Sequence, residues 1–177
     1  MQSRKVSIFS KYFKEIRALQ KRAFPKEEQY PLPILLLLSL QKSVNYTAYY
    51  DAETLCGISY TAETDDMIYV LYLAVNDKLR SKGYGTKILD VIRSGRVNKT
   101  VCLNVEPLDE TAENNEQRKK RYEFYYRNGF HDTEHFLEDK TGRYAILATG
   151  GDFSADSYKE AIRRLGMNLY KPKIYSY

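Results

Sequence analysis

Residues that announce a site by themselves are scarce in this chain. Its 177 residues hold two cysteines and two histidines. Cys56 and Cys102 each sit inside an apolar, strand-like run without Cys-x-x-Cys spacing. That points away from a disulfide framework and from metal binding, and toward buried free thiols in a reducing compartment. His131 and His135 share a strand face if the strand is regular, and with no cysteine near them they read as structural or substrate-side residues. The run Ile34-Leu35-Leu36-Leu37-Leu38 is cut by Ser39 and falls far short of the ~20 residues of a membrane span. The opening Met1-Gln-Ser-Arg-Lys-Val6 carries no signal-type apolar region. A block of basic residues able to grip nucleic acid is also missing. The net charge of +5 suits either an anionic ligand or a surface with spare lysines. A soluble cytoplasmic protein, monomeric or homodimeric, with no membrane and no nucleic-acid partner, is the expectation.

What the chain does have is a globular composition, 43% hydrophobic and 29% charged, at a length that can bury a full core. One domain over 1–177 is expected, with its core over about 4–150 and a C-terminal helix and tail over 151–177. The Val6/Ile8 alternation suggests a first strand within 4–9. Phe13, Ile16, Leu19 and Ala23 predict an amphipathic helix over 11–24, stopped by Pro25. After the polar loop Pro25–Pro31, Pro33 introduces a second helix over about 34–43, whose leucines must be buried or line an apolar pocket. Strands over 47–51, 55–61 and 68–75, joined by short turns, read as an antiparallel meander. A helix over 86–93, closed by Ser94-Gly95, and a strand over 100–105 complete a strand–helix–strand unit, which implies a right-handed crossover and a parallel pair. A charged helix over 114–127, a hairpin of 130–137 and 144–149 turning at 139–142, a helix over 154–164 and a polar tail follow.

One stretch organises the rest. The strand Ile68–Val75 leads into Arg80-Ser81-Lys82-Gly83-Tyr84-Gly85 and then into a helix opening at Thr86. Such a strand–loop–helix turns unpaired backbone N–H groups and the positive end of a helix dipole toward an anion, and glycine lets a ligand approach closely. Counting glycines narrows the ligand. A Walker loop needs Gly, four residues, then Gly-Lys-Ser/Thr, and a dinucleotide fingerprint needs three glycines, whereas only Gly83 and Gly85 fit. What remains is Arg-x-x-Gly-x-Gly after a strand. A second motif, Phe124-Tyr125-Tyr126-Arg127-Asn128-Gly129-Phe130, ends the next helix but one strand further on. Together, in this order of elements, the two motifs resemble the GCN5-related N-acetyltransferase (GNAT) superfamily over roughly residues 11–149. Residues 75–86 are similar to that family's pyrophosphate-binding segment, and 124–130 to its Phe-Tyr-x-x-x-Gly-Phe helix ending.

The resemblance implies an α/β fold: a mixed, mostly antiparallel central sheet with a splayed parallel pair, the fourth and fifth strands, flanked by helices. It implies acetyl-CoA as co-substrate and a primary amine as acceptor, with direct attack in a ternary complex. The strand end at Leu73, Ala74 and Val75 would bond the pantetheine arm, and Arg80, Ser81, Lys82, Gly83, Tyr84, Gly85 and Thr86 the pyrophosphate. Tyr125 aligns with the tyrosine that, in many relatives, protonates the departing thiolate. Seven residues before it, where many relatives carry asparagine, stands Arg118, able to reach a CoA phosphate or simply to face solvent; Asn115 lies one turn earlier. The usual fourth-strand glutamate is replaced by Leu71. Glu28 and Glu63 are then the candidate bases, or else solvated surface carboxylates. A non-catalytic CoA-binding module is the alternative that the missing glutamate supports, and the retained Tyr125 argues against it.

Overall fold

Runs of valine, isoleucine and tyrosine favour pleated strands, and in the computed structural model they pair into one sheet. The described residues are 1–139, 142–151, 153–166 and 173–176. Eight strands are present among them: β1 (Gln2–Lys5), β2 (Val44–Asp51), β3 (Thr54–Glu63), β4 (Met67–Val75), β5 (Thr100–Val105), β6 (Phe130–Asp139), β7 (Gly142–Thr149) and β8 (Lys173–Ser176). They lie in the order β1-β2-β3-β4-β5-β7-β6-β8. Only the β4–β5 pair is parallel. Helices α1 (Phe13–Ala23), α2 (Leu32–Leu38) and α5 (Ala155–Arg164) cover one face of the sheet, and α3 (Tyr84–Arg93) and α4 (Asn115–Arg127) the other. The expected mixed α/β architecture and its parallel fourth and fifth strands are therefore present.

A bulge in the β3–β4 ladder determines which way the critical strand faces. Thr61 pairs with Val70 and Tyr60 with Tyr72, leaving Leu71 without a partner in β3. An extra residue shifts the period-two alternation by one. Before the bulge Ile68 and Val70 pack against α3 and α4; beyond it Leu73 and Val75 do so, while Tyr72 and Ala74 join the opposite core.

Several sequence expectations are corrected. The first strand occupies 2–5 and not 4–9: the Val6 N–H still donates to the Tyr46 carbonyl at 2.8 Å, after which the chain leaves the sheet with Ile8 62% and Phe9 88% exposed. Helix α2 starts before the expected 34–43, at Leu32, after prolines at its N-terminus, and ends well short of 43, at Leu38, where the Ser39 hydroxyl donates back to the Leu36 carbonyl at 2.8 Å. Of its leucines only Leu35 is buried, and Leu32 and Leu36 instead line an apolar cavity. Helix α3 opens two residues early, at Tyr84, since Gly83 takes a left-handed φ of +76° as its cap. The expected polar tail contains β8, paired with β6; residues 167–172 and 177 lie outside the described residues, as do Lys140 and Thr141 of the expected 139–142 turn. In β6 the register shifts between Asp132 and Phe136, with Glu134 at φ +59°, so His131 and His135 are not carried by a regular alternation. Cys56 and Cys102 are buried and unpaired.

Candidate active site

The site starts where β4 and β5 part. Their pairing ends at Val70–Leu103, yet β4 continues against β3 as far as Val75–Gly57 and β5 against β7 as far as Val105–Ala145. Each strand is held firmly on its outer side, so a wedge opens between Leu71–Val75 and Asn104–Val105. Along it one edge of β4 is left without a strand partner, which is the geometry that accepts an extended amide-bearing chain. Leu73, Ala74 and Val75 lie on this open stretch.

At the wide end of the wedge is the glycine loop. Asn76 leaves β4 with its N–H on the Cys56 carbonyl at 2.8 Å and its side-chain amide on the Leu55 carbonyl at 2.8 Å, and its Oδ1 caps a single 3-10 turn over Asp77–Leu79. The chain then turns through Ser81 at φ +62° and Gly83 at φ +76° into α3. Among the described residues, the backbone N–H groups of Ser81 through Thr86 have no acceptor. Six adjacent free donors at a helix N-terminus form an anion cradle. They border a cavity of about 510 Å³ lined by Val75, Arg80, Gly83, Gly85, Phe124 and Asn128. Gly85 has a packing role as well: a Cβ there would lie 2.8 Å from the Phe124 ring, so a larger residue would have to push that ring aside where α3 meets α4. Arg80 is exposed and bound to Asp77 at 2.5 Å, Lys82 is exposed, and the Tyr84 hydroxyl donates to Asp51 at 2.8 Å.

Deeper in the wedge a second cavity, of about 480 Å³, brings together residues far apart in sequence. Gln117, Arg121 and Tyr125, spaced by four on α4, present one helix face to it; Leu71, Leu73 and Asn104 come from the sheet, Glu28 from the loop between α1 and α2, and Glu106 from the end of β5. Tyr125 is wedged between Phe124 and Phe130 at ring distances of 5.1 and 5.3 Å. No group among the described residues hydrogen-bonds to its hydroxyl. Burial pushes the phenol up to about 12, with the Arg121 guanidinium pulling the other way, so the hydroxyl keeps its proton at neutral pH. Glu28 is half-buried, held by the Tyr72 hydroxyl, which donates to its carbonyl at 2.5 Å, and by the Tyr144 hydroxyl, which donates to its carboxylate at 3.3 Å. Burial, and after it the Glu106 charge, hold the Glu28 carboxyl above the usual carboxylate range.

The other expected residues lie elsewhere. Glu63 is the partner of Arg96 at 2.8 Å and Lys99 at 3.4 Å and does not line the cavity beside Tyr125. Arg118 neither lines the phosphate loop nor faces solvent freely: it binds Glu106 at 3.1 Å, the Pro107 carbonyl at 2.7 Å and Asn114 at 2.9 Å. Asn115 is buried, its side chain accepting from the Asp109 N–H at 3.1 Å. Both arrange the segment between β5 and α4. Sequence reasoning missed Glu106, Gln117 and Arg121. The last two could have been found by stepping back from Tyr125 in fours, and Glu106 by its place just past the parting strand. Among the described residues there is no cluster of metal-ligating side chains and no helix long and apolar enough to cross a membrane.

Comparison with known proteins bears on the fold. No family model matches the sequence. Over 69 residues the chain is 39% identical to YjbC of Bacillus subtilis strain 168, provisionally named an acetyltransferase; the stretch is 39% of this chain and 33% of that protein, so it spans about a third of the relative's length. An acetyltransferase provisionally assigned to the GNAT family, from Bacteroides thetaiotaomicron, superposes with a TM-score of 0.72 at 20% identity, covering 96% of this chain and 98% of that one. An aminoglycoside 6'-N-acetyltransferase complexed with coenzyme A gives 0.64 at 16% identity, over 84% of this chain and 96% of its own. The chain has a mixed α/β fold. More narrowly, its fold is that of the GNAT acetyltransferases.

Proposed function

We propose that the protein transfers an acetyl group from acetyl-CoA to a primary amine by direct attack within a ternary complex. The observation that carries this reading is the meeting of an unpartnered Tyr125 hydroxyl and a half-buried Glu28 carboxylate in one cavity, beside the unpaired edge of β4. The residues present fit the co-substrate: the free amides of Ser81–Thr86 suit its pyrophosphate, and the open backbone of Leu73–Val75 suits the amides of its pantetheine arm. The bound thioester supplies an activated acetyl group.

Everything else falls to the chain. Holding both substrates in the wedge removes the entropy cost of bringing them together. Glu28, with its carboxyl raised above the ordinary carboxylate range, takes the proton that the acceptor ammonium must lose. Tyr125 keeps a proton at its hydroxyl for the departing sulfur, which as a thiolate of pKa about 8.5 needs only modest help. Glu106 is paired with Arg118 and Arg121, and its charge acts on Glu28.

The test is release of free thiol when the purified protein meets acetyl-CoA and a panel of primary amines. Turnover with at least one amine is expected, rising with pH through the raised pKa of Glu28, and Glu28→Gln should remove that rising limb. Coenzyme A binding without turnover on any amine would favour a non-catalytic module, and no binding at all would overturn both readings.

A further inference from the structure

On the far side of the 25–31 loop from the acetyl-transfer cavity lies a larger one of about 750 Å³ between α1 and α2, a size usual for small-molecule sites. Its apolar surface comes from Phe13, Leu32 and Leu36, and no acidic residue lines it. Three cations do: Arg17, Lys21 and Lys26. Among the described residues none of the three makes an ion pair, although neighbouring Lys11 and Arg22 find Glu53 and Asp77. Arg17 and Lys21 stand four apart on one face of α1, a like-charge spacing that destabilises a helix.

A second observation sits at the cavity floor. Gln20 is only 5% exposed. Its Oε1 accepts from the Tyr46 hydroxyl at 2.8 Å, and its Nε2 hydrogens have no acceptor among the described residues. Among the described residues Arg93 Nε is the buried side-chain nitrogen left without a partner; the Gln20 amide, on a residue that lines the cavity, is open to it and can donate to a molecule bound there.

We propose that this cavity binds a small amphipathic anion, an alkyl or aryl carboxylate. Its hydrocarbon part lies against Phe13, Leu32 and Leu36, and its carboxylate takes the Gln20 amide and the paired charges of Arg17 and Lys21. The site is separate from the acetyl-transfer cavity and does not depend on acetyl transfer for its logic.

Calorimetry of the full chain with sodium octanoate, set beside 1-octanol, tests it. Octanoate should saturate one site and bind at least tenfold more tightly than the alcohol, which has the same tail without the charge. The surface double variant Arg17→Glu/Lys21→Glu should lose at least tenfold in octanoate affinity with its thermal melt unchanged. Leu36→Trp, in a chain that has no tryptophan, should block octanoate and report the cavity by its own fluorescence. No octanoate binding at millimolar concentration, equal binding of octanol, or full affinity in a folded double variant would each overturn the proposal. The octanoate–octanol comparison on the native chain decides even if both variants fail to fold.

Discussion

The glycine loop and the cavity beside Tyr125 share one wedge between β4 and β5, yet they are made of different things. The loop offers backbone: free amides over 81–86, two residues at positive φ, and a glycine whose missing Cβ admits Phe124. Its charged side chains are solvent-exposed, and Arg80 is 69% exposed and already bound to Asp77. The inner cavity offers side chains, a phenol and a carboxylate whose proton affinities are both raised by burial. Backbone suits a constant ligand that only has to be held. Buried side chains suit chemistry, because desolvation is what moves a proton affinity.

If that division holds, deleting one buried hydroxyl should cost far more than deleting any side chain of the loop. Tyr125→Phe keeps the ring between Phe124 and Phe130 and removes only the proton. A fall in kcat of roughly 100-fold, with coenzyme A affinity unchanged by calorimetry, is expected from steady-state thiol release. An unaltered rate would move the acid role elsewhere and erase the contrast between the two regions.

The loop should instead fail when its backbone or its field is changed. Nothing lies within 4 Å of a Cβ built on Gly83, so a substitution there meets strain at φ +76° and, if acidic, repulsion of an anion, but no clash. Gly83→Asp should weaken coenzyme A binding by about tenfold or more, while Gly83→Ala costs about 1 kcal/mol of stability in a thermal melt and leaves affinity nearly intact. Equal losses in both would mean that backbone conformation, and not charge, governs the cradle.

The same division explains what the sequence could reveal. The loop is contiguous, so Arg80, Gly83 and Gly85 show their spacing in twelve residues of text, and the strands around it declare themselves through alternating valine and tyrosine. The inner cavity is assembled from positions 28, 71, 106, 121 and 125, which meet only because β4 and β5 part after Val70 and a bulge at Leu71 resets the facing of the strand. Neither the parting nor the bulge leaves a local residue signature. Glu28 and Glu63 look alike as acidic loop residues; what separates them is that Arg96 and Lys99 lie beside Glu63 while Glu28 sits half-buried against Tyr72 and Tyr144. Arg118 shows the converse, a residue at a familiar spacing whose guanidinium is taken up by Glu106. Strand β8 was missed because four polar-looking residues, Lys173–Ser176, become a strand only through β6.

The smallest effect belongs to the residue that looks most functional in the sequence. Arg80 heads the Arg-x-x-Gly-x-Gly pattern, but Asp77 holds its guanidinium at 2.5 Å and is itself shared with Arg22 at 3.2 Å. An exposed pair of this kind is worth no more than about 1 kcal/mol, and part of the Arg80 charge is already offset. Arg80→Ala should therefore weaken coenzyme A binding by less than about fivefold, and the difference should shrink further between 0.05 and 0.5 M salt as the Debye length contracts. A salt-insensitive loss of fiftyfold would instead place the guanidinium directly on the pyrophosphate, and the loop would then share the side-chain character of the inner cavity.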